Sequence, residues 1–123
     1  MACGWLKIGN SVADLKELRY FGPMRPQDVI TRLKKAESRL RATGVGALYL
    51  FGSYARDDAG ADSDVDVFVD PETDESFGFL QFMQAYAAIV DAVGPDIEVG
   101  YSTRDGLSRY IRDTVEREAK RIF

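Results

Sequence analysis

The sequence has no histidine and a single cysteine among its 123 residues, and these two absences exclude several classes of active site. Without histidine there is no Ser-His-Asp triad, no Cys-His pair and no histidine-ligated zinc. With Cys3 as the only cysteine, neither an internal disulfide nor a cysteine-rich zinc site can form. A metal ion bound here would be a hard cation held by carboxylates, which means magnesium, manganese or calcium.

Long apolar runs are also missing. No stretch approaches the roughly 20 apolar residues of a membrane span, and the first ten residues lack the apolar segment of a signal peptide. We therefore expect a cytoplasmic protein that does not associate with membranes. The net charge is −4, and the segment Asp57–Glu75 contains many acids but no Lys or Arg. That balance argues against a dedicated nucleic-acid-binding domain.

The apolar periodicity predicts a single domain over residues 1–123. Its predicted elements are a short helix at 11–21, a helix from Pro26 to Gly44, a buried strand Ala47–Phe51, an alternating strand Ser63–Asp70, a helix Phe77–Val93, a short strand Asp96–Gly100, and one or two helices to the end of the chain. On the Phe77–Val93 helix, the stripe of large residues from Phe79 to Tyr86 is expected to lie in the core. On the last helix, Leu107, Tyr110, Ile111 and Val115 are expected to form the apolar side. The predicted fold class is α/β (α+β), with a small mixed three-stranded sheet and helices packed on it.

Two carboxylates stand two positions apart on the alternating strand. Asp64 and Asp66 leave the same face of it, opposite to Val65, Val67 and Val69. Their repulsion is unfavourable unless a positive charge lies between them. Magnesium binds one or two protein carboxylates together with substrate phosphate oxygens, and two metal ions about 4 Å apart can assist both the attacking and the leaving oxygen. The pair therefore predicts a magnesium site for a phosphate-bearing ligand.

Such a site usually includes a third carboxylate. Glu98 is one candidate, because it faces outward on the predicted strand Asp96–Gly100. Asp96 has the same parity and is the alternative. The residues alone leave the choice open.

A Gly-Ser pair precedes the carboxylates and predicts a phosphate-binding turn. Gly52 allows a phosphate to approach the backbone closely, and Ser53 offers a hydroxyl at the start of a turn or short helix. Arg56 follows one helical turn later and is able to bind phosphate through two N–H groups. Each of these features alone is more often an ordinary surface residue. Their order along the chain, followed by Asp-x-Asp, favours nucleotidyl or phosphoryl transfer.

The segment "GSYARDDAGADSDVDVFV", Gly52–Val69, resembles the signature of the minimal nucleotidyltransferases of the DNA polymerase beta superfamily. The positions that match that signature are Gly52, Ser53, Ala55, Arg56, Ser63, Asp64 and Asp66. The later "DIEVGYSTRDGL" is similar to a second segment of the family, in which a strand brings the third carboxylate. Glu98 stands there in place of the family's aspartate. The resemblance covers the chain from about Val29 onward, so residues 1–22 are interpreted as an N-terminal extension.

The resemblance implies a nucleotidyltransferase fold and the transfer of a nucleotide, usually AMP from ATP, in a reaction that depends on Mg²⁺ or Mn²⁺. Asp64 and Asp66 would be metal ligands, with Glu98 as third ligand and as base for the acceptor hydroxyl. Gly52 and Ser53 would hold the β- and γ-phosphates, supported by Arg56.

Family members of this size are often encoded beside a small helical HEPN protein, and the pair resembles a toxin–antitoxin system. The resemblance therefore implies that this chain neutralises such a partner, by adding AMP to it. A second hypothesis is a non-catalytic module that masks its partner by contact, and Glu98 keeps it open. A third is a small-molecule nucleotidyltransferase, in which a homo-oligomer supplies the wall of the site that a single small domain lacks.

Overall fold

The computed structural model describes residues 25–60 and 62–123. The predicted helix at 11–21 and the proposed extension 1–22 lie outside the described residues. The described helices are α1 (Pro26–Lys35), α2 (Glu37–Thr43), α3 (Ser53–Arg56), α4 (Phe79–Val93) and α5 (Arg109–Glu118). The strands are β1 (Val45–Phe51), β2 (Val65–Pro71), β3 (Val99–Thr103) and β4 (Lys120–Arg121).

The sheet is mixed and has the order β3-β2-β1-β4. β1 runs antiparallel to both β2 and β4, whereas β2 and β3 are parallel, with α4 as the crossover between them. The predicted fold class is confirmed, but the sheet has four strands rather than three. The added strand is short, since only Lys120 and Arg121 pair with β1. β3 also begins and ends about three residues later than predicted.

The predicted helix from Pro26 to Gly44 is two helices. Ala36 separates them with φ −87° and ψ 0°, and its amide donates to the carbonyl of Leu33 at 3.0 Å, which tightens the turn. Neither proline nor glycine marks this break, so the sequence carried no signal for it. The predicted end at Gly44 is confirmed by its left-handed backbone, φ 107°, which favours glycine.

The main core lies between one face of the sheet and the helices α1, α2 and α4. Val65, Val67 and Val69 all face it, as the alternation in β2 predicted. The opposite face of β2 is also covered, because Phe68 packs with Leu107 and Val115 beneath α5. Both faces of the central strand are therefore held by helices, and its side chains have little freedom to move.

The predicted apolar faces of α4 and α5 are partly wrong. On α4 the buried residues are Ala85, Ala88, Ile89 and Val93, whereas Phe79 is 80% exposed and Leu80 and Met83 are also exposed. Phe82 and Tyr86 are half-buried and pack on the ring of Tyr101. On α5, Tyr110 and Ile111 are exposed. The reason is packing: the buried residues of α4 lie in the core that it shares with α1 and α2, whereas Phe79 and Leu80 lie outside that core.

Within the part of the chain that the structure describes, no helix combines the length and apolar character needed to cross a membrane.

Candidate functional site

The Gly-Ser turn connects the end of β1 to α3. Gly52 is buried and has φ 76°, a conformation that favours glycine. Its carbonyl accepts hydrogen bonds from the amides of Ala55 and Arg56, both at 3.0 Å, and these bonds close the first turn of α3. Ser53 is the first residue of this helix, and its hydroxyl makes no hydrogen bond with any described residue. The predicted turn is therefore formed, with the serine hydroxyl beside the N-terminus of α3.

Asp66 lies against this turn. It pairs with Phe51 across the antiparallel ladder and with Gly100 across the parallel one. A Cβ atom on Gly52 would lie 2.5 Å from Oδ2 of Asp66, and a Cβ atom on Gly100 would collide with Oδ1. Both positions therefore need glycine, because a larger residue would push the Asp66 carboxylate out of its place between them.

The environment of Asp66 disfavours its negative charge. Burial raises the pKa of this carboxyl above its usual range, and the neighbouring charge of Asp64 raises it further. Arg56 acts in the opposite direction, and Glu118 adds a smaller upward contribution. Asp64 itself is exposed and directly precedes β2. A positive charge beside Asp64 and Asp66 would therefore stabilise their charged forms.

Arg56, at the end of α3, is held by two carboxylates. Its Nε atom donates to Asp58 at 3.2 Å, and its Nη1 atom donates to both oxygens of Glu118 at 3.3 Å. These hydrogen bonds raise the pKa of the guanidinium, which remains fully charged. Arg56 is thus one cation near Asp58, Asp64, Asp66 and Glu118, and the region is left with net negative charge.

Glu98 lies at the same edge of the sheet as the aspartate pair. It directly precedes β3, as Asp64 directly precedes β2, and its carbonyl accepts from the amide of Val65 at 2.9 Å. Its side chain is exposed. Asp96 lies two residues earlier, in the turn that follows α4, and is also exposed. The parallel register brings Glu98 rather than Asp96 level with Asp64.

The donor set fits a magnesium ion bound together with a phosphate ligand. Among residues 25–60 and 62–123, no group of three or more acidic or cysteine side chains lies close enough to hold a metal ion. Magnesium does not require such a group, since it commonly binds one or two carboxylates and takes its other oxygens from substrate and water. Asp64 and Asp66 supply that number, and burial together with the charge of Asp64 raises the pKa of Asp66, so a cation beside the pair would stabilise the charged form.

Two residues of this site were missed by sequence reasoning. Gly100 provides the space for the Asp66 carboxylate, and Glu118 binds the Gly52 amide at 3.1 Å in addition to Arg56. Neither has a local signal, because Gly100 is one glycine among 11 and Glu118 lies in a charged helical segment. The register of β2 on β3 would have identified Gly100, but it requires the sheet order.

A second charged cluster lies at the other end of β2. Arg104 binds Asp70 through two hydrogen bonds of 2.9 Å and Glu116 through one of 2.7 Å. Its guanidinium also stacks on the rings of Tyr49 and Phe68. Asp66 beside the Gly52 turn and Asp70 near the end of β2 thus lie in two different environments.

Comparison with known proteins gives a consistent result. A family model described as a nucleotidyltransferase domain matches residues 30–122. A solved structure described as a candidate minimal nucleotidyltransferase superposes with a TM-score of 0.66 and 28% identity, over 79% of this chain and 95% of that chain. Another, a candidate nucleotidyltransferase from Sulfolobus solfataricus, gives a TM-score of 0.50 and 14% identity over 78% and 80% of the two chains, which supports the fold alone. A search of curated proteins found no significant match.

Proposed function

Because the chain belongs to the nucleotidyltransferase domain family, we propose that it transfers AMP from ATP to a hydroxyl group of an acceptor protein, with Mg²⁺ as the metal ion. The observation that carries this proposal is the Asp66 carboxylate, wedged beside the Gly52 turn with Arg56 and Asp64 as its charged neighbours. A Gly-Ser turn with one carboxylate of the pair directly beside it suits a metal–triphosphate ligand.

In this proposal, each residue has one task. The Gly52–Ser53 turn and Arg56 bind the β- and γ-phosphates, and Asp64 and Asp66 hold the metal ion. Bound Mg²⁺, or Mn²⁺ in its place, supplies charge neutralisation of the triphosphate. The acceptor oxygen forms a bond to the α-phosphorus, the bond between the α-phosphorus and the bridging oxygen breaks, and pyrophosphate leaves with the electron pair. Glu98 takes the proton of the acceptor hydroxyl, since it lies at the same edge and is exposed.

A protein acceptor is supported by large apolar residues that are exposed on two helices. Phe79, Leu80 and Met83 form an exposed apolar group on α4, and Tyr110 and Ile111 form another on α5. Large exposed apolar residues are typical of protein contacts. We propose a small helical protein of the HEPN type as the partner, with this chain as the antitoxin of the pair. This partner class rests on the family resemblance.

The test uses ATP labelled at the α-phosphate, Mg²⁺ and a lysate of the native host. Wild type is compared with Asp64→Asn, and with Asp70→Asn as a control at the other end of the same strand. We expect a protein band labelled by α-labelled ATP but not by γ-labelled ATP, present with wild type and Asp70→Asn and at least 100-fold weaker with Asp64→Asn. Labelling that survives Asp64→Asn would contradict the proposed site.

A second candidate is a module that masks its partner by contact alone. It is favoured by Glu98, which has a longer side chain than the family's aspartate and is exposed. Among the described residues, no third acid is placed to hold a metal ion together with Asp64 and Asp66. Neutralisation of the partner by Asp64→Asn, together with absence of any labelled band, would favour this candidate. Labelled soluble product in a screen of small acceptors would instead favour a small-molecule nucleotidyltransferase.

A further inference from the structure

Glu118 joins two parts of the candidate site with one carboxylate. Its Oε1 atom accepts from the Gly52 amide at 3.1 Å, and both of its oxygens accept from Nη1 of Arg56 at 3.3 Å. Glu118 is the last residue of α5, where the partial negative charge of the helix end disfavours a carboxylate. Its side chain is nonetheless only 21% exposed. A mostly buried carboxylate at the C-terminal end of a helix is stabilised by the N–H groups of Gly52 and Arg56 that donate to it.

Arg56 is correspondingly constrained. Asp58 holds its Nε atom, and Glu118 holds its Nη1 atom. Among the described residues no acceptor engages Nη2, so this end of the guanidinium keeps its two N–H groups for another anion. The side chain is 48% exposed, and without Glu118 only the exposed carboxylate of Asp58 would restrain it.

We propose that Glu118 is a positioning residue of the nucleotide site, which holds the Gly52 backbone and the Arg56 guanidinium in the orientation that meets the phosphates. The inference rests on the proposed function, because it assumes that this turn binds a nucleoside triphosphate. It adds a residue outside the Gly-Ser and Asp-x-Asp segments and connects the end of α5 to phosphate binding. Fixing the turn and the guanidinium before the ligand arrives lowers the entropic cost of binding.

The role of Glu118 is separable from the folding of the C-terminal segment. The chain after Glu118 is bound to β1 by backbone hydrogen bonds, from the Ile122 amide to the Leu48 carbonyl at 2.7 Å and from the Leu48 amide to the Phe123 carbonyl at 3.2 Å. Val115 and Ile122 are buried as well. A substitution at Glu118 that keeps the side-chain shape should therefore leave the fold intact.

The first measurement is calorimetric binding of Mg²⁺ with α,β-methylene-ATP, a probe that cannot transfer AMP. Glu118→Gln is compared with wild type and with Glu116→Gln, a matched control two residues earlier on α5 that pairs with Arg104 instead. We expect a loss of affinity of about tenfold for Glu118→Gln, as for a hydrogen bond between charged groups, and less than twofold for Glu116→Gln. Wild-type or tighter binding by Glu118→Gln would overturn the proposal.

A double-mutant cycle tests whether Glu118 acts through Arg56. In an Arg56→Ala background the effect of Glu118→Gln should shrink to about twofold, because the guanidinium that it positions is gone. An undiminished effect would overturn the assigned role. Amide hydrogen exchange gives a readout without nucleotide, since the Gly52 amide should exchange at least tenfold faster in Glu118→Gln and at the wild-type rate in Glu116→Gln.

Failure of this proposal is distinguishable from failure of the proposed function. Wild type that binds neither ATP nor the analogue in the presence of Mg²⁺ or Mn²⁺ would refute the proposed function, and this inference with it. Wild type that binds while Glu118→Gln binds equally well refutes this inference alone. If Glu118→Gln does not fold, Glu118→Asp serves in its place. Its shorter side chain should weaken binding at least threefold and deprotect the Gly52 amide, and wild-type values for both would overturn the role.

Discussion

Asp66 is half-buried between two glycines, beside Asp64, and this position has a consequence for stability. Burial and the adjacent charge raise the pKa of its carboxyl in the folded chain above the ordinary value of 3.8. The folded chain then holds the proton more tightly than the unfolded chain. Stability contributed by this group is present at low pH and is lost as the pH rises through the raised pKa. At neutral pH the charged carboxylate opposes folding.

We therefore expect Asp66→Asn to stabilise the chain at pH 7, because the amide has the same shape and no charge. Its melting temperature should exceed that of wild type by a few degrees at pH 7, and the difference should shrink as the pH is lowered towards 3.8. The measurement is thermal unfolding in a metal chelator between pH 4 and 8. A variant no more stable than wild type at pH 7, or an advantage independent of pH, would contradict the assigned environment.

The individual residues of the candidate site differ in how far the sequence predicted them. Gly52, Ser53, Arg56, Asp64 and Asp66 belong to one continuous segment, in which a turn and an alternating strand determine the arrangement locally. Gly100 and Glu118 reach this site only through the pairing of β2 with β3 and the docking of α5. Such long-range relations are not encoded in spacing along the chain, so a single sequence cannot provide them.

At the scale of elements, α4 shows why periodicity alone predicts a helix better than its buried face. The large residues in its first half repeat at helical spacing, yet the residues of α4 that are buried in the main core are Ala85, Ala88, Ile89 and Val93. That core is shared with α1 and α2, and Phe79 and Leu80 lie outside it and remain exposed. The predicted helix is confirmed from Phe79 to Val93, and its orientation is decided by packing.

This orientation predicts unequal effects of two alanine substitutions on α4. Ile89→Ala should lower the free energy of unfolding by about 2–4 kcal/mol, because Ile89 is fully buried in the main core. Phe79→Ala should change it by no more than about 0.5 kcal/mol, since the ring is largely exposed. Urea unfolding of both variants measures these values. A loss above 2 kcal/mol for Phe79→Ala would mean that the Phe79 ring is buried after all.

At the scale of the whole molecule, β2 divides two kinds of acidic residue. Asp64 and Asp66 stand at its beginning, beside the Gly52 turn, where burial and the neighbouring charge of Asp64 disfavour the charged form of Asp66. Asp70 stands near its end and is bound through both oxygens to Arg104, which Glu116 also binds. The second cluster ties β2 to the loop after β3 and to α5, so we assign it to stability rather than to ligand binding.

This division predicts that Asp→Asn substitutions at the two ends of β2 have opposite effects on stability and on nucleotide binding. Asp70→Asn removes the charge of a paired carboxylate, and should lower the free energy of unfolding by about 1 kcal/mol, because the pair is partly exposed. Its affinity for Mg²⁺ with α,β-methylene-ATP should remain within twofold of wild type. Asp64→Asn should weaken that binding more than tenfold and leave stability unchanged or increased, since it removes repulsion from Asp66.

Urea unfolding and calorimetry on the same two preparations test both halves of this prediction. Each variant serves as the control for the other, because both exchange an aspartate for its isosteric amide. Equal losses of nucleotide affinity would show that the two ends of β2 act as one site, and would contradict the division. A loss of stability confined to Asp70→Asn, with a loss of affinity confined to Asp64→Asn, would support it: the charges of this chain stabilise the fold at one end of a strand and bind ligand at the other.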